Sequence, residues 1–193
     1  MKRIIMHWSA GGHRASDVDR QHYHFIVQGD GSIVEGSYKP EDNLVVGNGK
    51  GYAAHTRNAN TASIGVAVAA MKGAVERPFN PGPSPITDAQ VAALTKLCAR
   101  LCKQYGISVT RHTVLSHAEV QRTLGIAQRG KWDIMWIPGM DVPGDPVAVG
   151  DKLRGMVSKE LERLVMPIQP VTAPATFFAK LVAAIMRLFG GKK

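Results

Sequence analysis

The 193-residue sequence predicts an α/β protein, with a mixed central β-sheet flanked by helices and a C-terminal amphipathic helix after a Pro-rich linker. Three observations predict it. Short apolar runs that read as buried strands alternate with helical periods, and no segment repeats. The stretch from Thr87 to Gly106 carries a helix with its own start and stop signals. Met166 to Ala175 holds three prolines and no charge, which marks a linker. The expected organisation is therefore a folded unit over 1–165, a linker over 166–175 and a basic helix over 176–193.

The elements follow in order. Lys2 to Trp8 reads as a short buried strand ending at Ser9-Ala10-Gly11-Gly12. Ser16-Asp17-Val18-Asp19 starts a helix that has room for only a turn or two. Tyr23 to Val27 is rich in β-formers; it runs into Asp30-Gly31 and then Ile33-Val34, the pattern of a hairpin. Residues 37–60, punctuated by Pro40, Gly47, Gly49 and Gly51, read as a long functional loop. Ser63 to Ala69 is a second buried strand whose small residues imply close packing. Thr87 and Gln90 form a capping box; Val91, Leu94, Leu97, Cys98, Leu101, Cys102 and Tyr105 then recur at helical spacing, and Gly106 closes the helix. Cys98 and Cys102 lie on that apolar stripe, so packing accounts for them better than metal binding. Ile107 to Leu115 reads as a strand and Val147 to Val165 as another amphipathic helix.

Composition narrows the function. With 45% hydrophobic and 20% charged residues, the chain is neither disordered nor collagen-like. Two cysteines exclude a disulfide framework. The apolar stretch after Met1 is too short for a signal peptide, and no run approaches a membrane span, so the expected compartment is the cytoplasm. The formal net charge is +9, and residues 166–193 contribute Lys180, Arg187, Lys192 and Lys193 with no acid. No zinc-finger spacing, aromatic RNA-binding signature or long basic helix is present, so no nucleic-acid partner is expected; anionic cell-wall polymer or lipid headgroups fit the charge equally well.

Three residues could carry chemistry together. His7 ends the first strand, His117 follows a later one, and Asp133 lies sixteen residues beyond His117. Two imidazoles and a carboxylate suit zinc, which in catalytic sites keeps three protein ligands and one open position. Each histidine alone is more ordinarily a surface or core residue, so spacing by itself leaves both readings standing.

The motifs Ile5-Met6-His7-Trp8-Ser9, Tyr23-His24-Phe25-Ile26-Val27, Asn60-Thr61-Ala62-Ser63-Ile64-Gly65-Val66, and His117 with Lys131-Trp132-Asp133 occur in an informative order. Together they resemble the type 2 N-acetylmuramoyl-L-alanine amidases, a family that includes phage lysozyme-like amidases, bacterial cell-wall amidases and peptidoglycan recognition proteins. The resemblance spans about residues 2–140. It implies a mixed sheet flanked by helices, one Zn2+ ion, and hydrolysis of the amide between the muramic acid lactyl group and L-alanine of peptidoglycan. By the same resemblance, His7, His117 and Asp133 are the metal ligands, and Tyr23 and Lys131 are catalytic. His55, in Ala54-His55-Thr56, lines the substrate groove, while His24 points to the opposite face and is structural. Several bacterial members carry a glutamate just after the Ser-Ile-Gly-Val strand start. Here the stretch reads Val66-Ala67-Val68-Ala69, as in phage members that rely on tyrosine and lysine. Glu119 is an acid near His117, with a catalytic role or a merely structural contact as its alternatives.

The expected function is that of a phage or prophage endolysin, held in the cytoplasm until it reaches the cell wall. The alternatives are a non-catalytic peptidoglycan-binding module and a membrane-disrupting protein acting through its tail. In that tail, Phe177, Phe178 and Leu181 are apolar and Lys180 and Arg187 share a face, so the helix would lie on an anionic membrane surface. Docking on the domain itself is the competing reading.

Overall fold

The structure, a computed structural model, describes residues 1–166; the expected 176–193 helix and, apart from Met166, the linker before it lie outside the described residues. Five strands form one sheet in the order β3-β2-β4-β1-β5. They are β1 (Arg3–Trp8), β2 (Phe25–Val27), β3 (Ile33–Glu35), β4 (Ser63–Val68) and β5 (Val114–Ser116). The inner strands β4 and β1 run parallel to each other, with Met6 paired to Val66, and β2 and β5 extend that parallel core. Only β3 is antiparallel, returned by the Asp30-Gly31 turn, so the sheet is mixed as expected. Among the described residues, four α-helices flank it: α1 (Asp17–His22), α2 (Asp88–Tyr105), α3 (His117–Leu124) and α4 (Pro146–Val165).

Alternation along β1 divides the interior. Ile4, Met6 and Trp8 join the main core with Leu94, Leu97, Cys98 and Leu101 of α2 and Leu153 and Val157 of α4. Ile5 joins a smaller cluster with Ala59, Leu115 and Val120 of α3, and His7, two residues on, shares that face. α2 starts where its capping box places it, with Thr87 Oγ1 accepting from the Gln90 amide, and stops at Gly106 in the left-handed region (φ 64°). Cys98 and Cys102 are both buried in the core.

Three local expectations are corrected. The segment expected as a strand from Ile107 to Leu115 is extended only from Val114; before it, Thr110 and Thr113 close a hydroxyl-bonded turn that competes with strand pairing. Tyr23 is not in β2 but caps the end of α1, its amide donating to the Asp19 carbonyl. The eight-residue helix α3, directly after β5, was not anticipated. Among the described residues, no helix is long and apolar enough to cross a membrane.

Candidate metal centre and cleft

β1 and β5 are adjacent and parallel, with Met6 beside Ser116, so the residues that follow, His7 and His117, arrive at the same end of the sheet. Their rings lie 4.7 Å apart. Asp133 comes from the loop after α3, anchored by its carbonyl, which accepts the Ala118 amide at 2.6 Å. Asp133 Oδ2 sits 3.0 Å from His7 Nδ1 and 3.1 Å from His117 Nδ1. All three residues are buried, and their donor atoms lie within 4.8 Å of one another. Ligand atoms around a tetrahedral ion with bonds of about 2.0–2.2 Å are roughly 3.3–3.6 Å apart, so the two Oδ2–Nδ1 spacings need only a small expansion to hold one.

The remaining ring nitrogens explain why the Nδ1 atoms are available. His117 Nε2–H donates to Gln128 Oε1 at 2.8 Å, and the Gln128 amide group donates to the Arg57 carbonyl at 2.9 Å, fixing which end of the amide faces the ring. His7 Nε2–H faces Thr56 Oγ1 and His55 Nδ1, each at 3.3 Å, while the Thr56 hydroxyl donates to His55 Nδ1 at 2.8 Å. Both imidazoles thus present a lone pair at Nδ1, the arrangement that outer contacts impose on ligating histidines. Burial lowers the pKa of His7 to about 4, against the opposing pull of the Asp133 carboxylate, so it is neutral at pH 7.

His117, Asp133 and Gln128 line a cleft of about 460 Å³, with His7 fully buried behind them. Tyr23 lies over His7 with ring centroids 5.2 Å apart. Burial, and then the negative charges of Asp133 and Asp19, push its hydroxyl pKa upward, so it remains a proton donor. Lys131 is exposed on the cleft wall, and its charge acts on His7. His55 lines the cleft as well, but it is only 7% exposed; its Nε2 makes no hydrogen bond among the described residues. It packs against β4 where Gly65 leaves room: a Cβ there would fall 2.4 Å from His55 Cγ. His24 is not on the opposite face as expected: its ring lies 5.7 Å from that of His55, with Nε2–H donating to Asn43 Oδ1 and Nδ1 accepting the Gly65 amide, so its role is structural but on the same side of the sheet. Glu119 is fully buried against Arg154 and is not part of the cleft wall. A larger cavity of about 550 Å³ lies elsewhere, between Arg77–Phe79 and Val142–Pro146. Its Asp145 is already engaged, capping α4 and pairing with Arg122.

Neither Gln128 nor a bridging role for Thr56 is announced by a sequence motif. Gln128 stands five residues before Asp133, and the left-handed pair Arg129 (φ 54°) and Gly130 (φ 72°) turns the chain between them. That Arg-Gly turn was the one local hint. Arg57 and Arg129 add two further cations to a wall on which Asp133 is the acid.

A parallel-centred α/β sheet that gathers two imidazoles and a carboxylate at its strand ends, inside an open cleft, defines a candidate metal-dependent hydrolase. The sequence model of N-acetylmuramoyl-L-alanine amidases matches residues 1–139, and the chain belongs to that family. No curated protein sequence matches it. Solved structures similar to it include the Staphylococcus aureus hydrolase AmiA in complex with its ligand, at 14% identity and TM-score 0.50, covering 83% of this chain and 73% of that one. They also include the amidase LysC from Clostridium intestinale, at 15% identity and TM-score 0.47, covering 81% and 85%. A third is the Ph2119 endolysin from a Thermus scotoductus bacteriophage, at 16% identity and TM-score 0.46, covering 82% and 83%.

Proposed function

We propose that this protein is a zinc-dependent peptidoglycan hydrolase that cleaves the amide joining N-acetylmuramic acid to L-alanine, acting as a phage or prophage endolysin. The observation that carries the metal reading is the Nδ1–carboxylate–Nδ1 cluster of His7, Asp133 and His117, with both outer ring nitrogens engaged. Membership of the amidase family supports the substrate and the bond cut. Bound zinc supplies Lewis acidity, polarising the scissile carbonyl and making water acidic near pH 7. The protein's own groups do the rest. In the reaction, water oxygen bonds to the lactyl carbonyl carbon, the C–N bond breaks, and the amine of L-alanine leaves with a proton. Lys131 offers a positive charge to the oxyanion that develops on the carbonyl oxygen. Tyr23, kept protonated by burial and by Asp133, donates a hydrogen bond beside it. Arg57 and Arg129 give the walls a positive field suited to an anionic glycopeptide.

The phage role rests on β4, which continues as Val66-Ala67-Val68-Ala69 without the glutamate of several bacterial members, leaving tyrosine and lysine as the polar catalytic groups. The same proposal keeps residues 176–193 as a contact for an anionic membrane surface, on the strength of their apolar and cationic composition.

The test is to purify wild type and His7→Ala, measure zinc per chain, and identify muropeptide products by mass spectrometry. Wild type should hold one zinc and release stem peptides with a free L-alanine amine; the variant should do neither. Peptide release by His7→Ala at the wild-type rate refutes the metal assignment. Removal of residues 176–193 should spare cleavage of isolated peptidoglycan and reduce lysis of intact cells.

A further inference from the structure

The β5–α3 junction that delivers His117 is held from behind by a helix that contributes nothing to the cleft. α4 sends Arg154 under the junction, where its side chain is 7% exposed and faces the fully buried Glu119. Arg154 Nη2 donates to Glu119 Oε1 at 2.7 Å and Nη1 to Glu119 Oε2 at 3.1 Å, a fork on a carboxylate. The pair then grips the backbone on both sides of Leu115. Arg154 Nη1 donates to the Val114 carbonyl at 2.9 Å, and the Ser116 amide donates to Glu119 Oε2 at 2.8 Å. Ser116 is the residue immediately before His117. Asp151, itself clamped by Arg111, steadies the guanidinium from the solvent side at 2.8 Å. Gly150 makes the approach possible, since a Cβ there would fall 2.0 Å from Glu119 Oε2.

A buried ion pair is weak evidence for stability, because an apolar pair of similar volume generally serves as well. Its directional bonds are what an apolar pair cannot supply. Here those bonds end on the two peptide groups that set where the chain turns from β5 into α3.

We infer that Arg154 and Glu119 are positioning residues for the metal centre: their buried fork fixes the β5–α3 turn and thereby aims His117 Nδ1 at Asp133. The inference rests on the metal reading above and extends it to a helix outside the cleft.

The experiment uses the full chain. Zinc Kd is measured at 25 °C by competition with a chromogenic chelator, alongside the unfolding midpoint, for wild type, Arg154→Lys, Glu119→Gln, the double variant E119L/R154M, and Leu153→Ala as a control in the α4 core. Arg154→Lys and Glu119→Gln should weaken zinc binding about tenfold, the lower end of what contacts behind a ligand control. Leu153→Ala should lower the midpoint and leave zinc affinity unchanged. The double variant should recover stability without recovering zinc affinity. If its zinc affinity returns together with its stability, or if Leu153→Ala weakens zinc as much as Arg154→Lys does, the pair only holds the fold and the inference is wrong. A wild type that binds no zinc overturns the proposed function instead. The inference is then decided by the ¹⁵N shifts of the His117 ring, which should move in Arg154→Lys and stay in place in Leu153→Ala; unmoved shifts in both reject it.

Discussion

Met6 and His7 are neighbours on β1, both fully buried, and they enter opposite chemistries. On the Met6 side, α2 and α4 close over the sheet with leucine, valine and cysteine, and any well-filled packing of similar volume would serve. On the His7 side, burial of polar rings is costly without partners, and the outer nitrogens of His7 and His117 find theirs in Thr56 and Gln128. One face is held by removal of apolar area from water, the other by directed bonds that also set tautomers. Mutations on the two faces should therefore fail in different ways.

The sharpest break of this contrast is at the ligands. His117→Ala should lower hydrolysis of peptidoglycan by about 10³-fold or more, because it removes metal chemistry from the carbonyl and from water together. The same variant should hold markedly less zinc by elemental analysis. Loss of zinc with intact turnover would remove the metal from the mechanism. Lys131→Ala comes next. Its side chain is exposed and outside the donor set, so zinc content and unfolding midpoint should match wild type. Turnover should still fall about 10²–10³-fold, the usual effect of deleting one oxyanion donor. An unchanged rate assigns Lys131 to the wall alone.

How far this contrast could be read from the sequence differs between the faces. The main core announces itself locally: β1 and β4 are unbroken apolar runs, and α2 carries its stripe between Thr87-Gln90 and Gly106. α3 escaped because its eight residues bury only His117 to Val120, too little for a stripe. The Ile107–Leu115 segment misled because Ile107, Val109, Val114 and Leu115 have strand composition, while two threonine hydroxyls settle the backbone otherwise. His7, His117 and Asp133 were legible as a set through family resemblance, since spacing alone left them scattered. Gln128 and Thr56 were not, because each acts on a ring 11 or 49 residues away, and no local pattern encodes such a bond.

On the apolar face, Leu153→Ala should cost about 2–5 kcal/mol of stability, measured by denaturant unfolding, through lost burial and the cavity left behind. Leu153 is fully buried in the α2–α4 core. Turnover per folded molecule should hardly change. A large loss of rate at unchanged fold would mean that the two faces are coupled more tightly than their contacts suggest.

The smallest effect comes from a histidine on the His7 face but outside the metal donors. Burial, opposed by its bonds to Asn43 and Gly65, holds His24 at a pKa of about 4, below the ordinary value of 6.5. Folded His24 must be neutral, since Nδ1 accepts the Gly65 amide at 2.9 Å and a protonated ring has no lone pair to offer. The unfolded chain takes up this proton below pH 6.5 and the folded chain only near pH 4, so stability is complete above pH 6.5 and falls as pH drops between these values. From pH 7 to pH 5 the contribution is about 2 kcal/mol. His7 and His55 are shifted in the same direction, so the wild-type loss alone would not isolate it. The difference between wild type and His24→Gln does: both variants share the other imidazoles and the metal's own competition with protons. Unfolding free energies at the two pH values should show wild type losing about 2 kcal/mol more than His24→Gln. Equal losses would mean that the folded protein accommodates a charged ring at His24, and that the Gly65 bond is dispensable to the sheet.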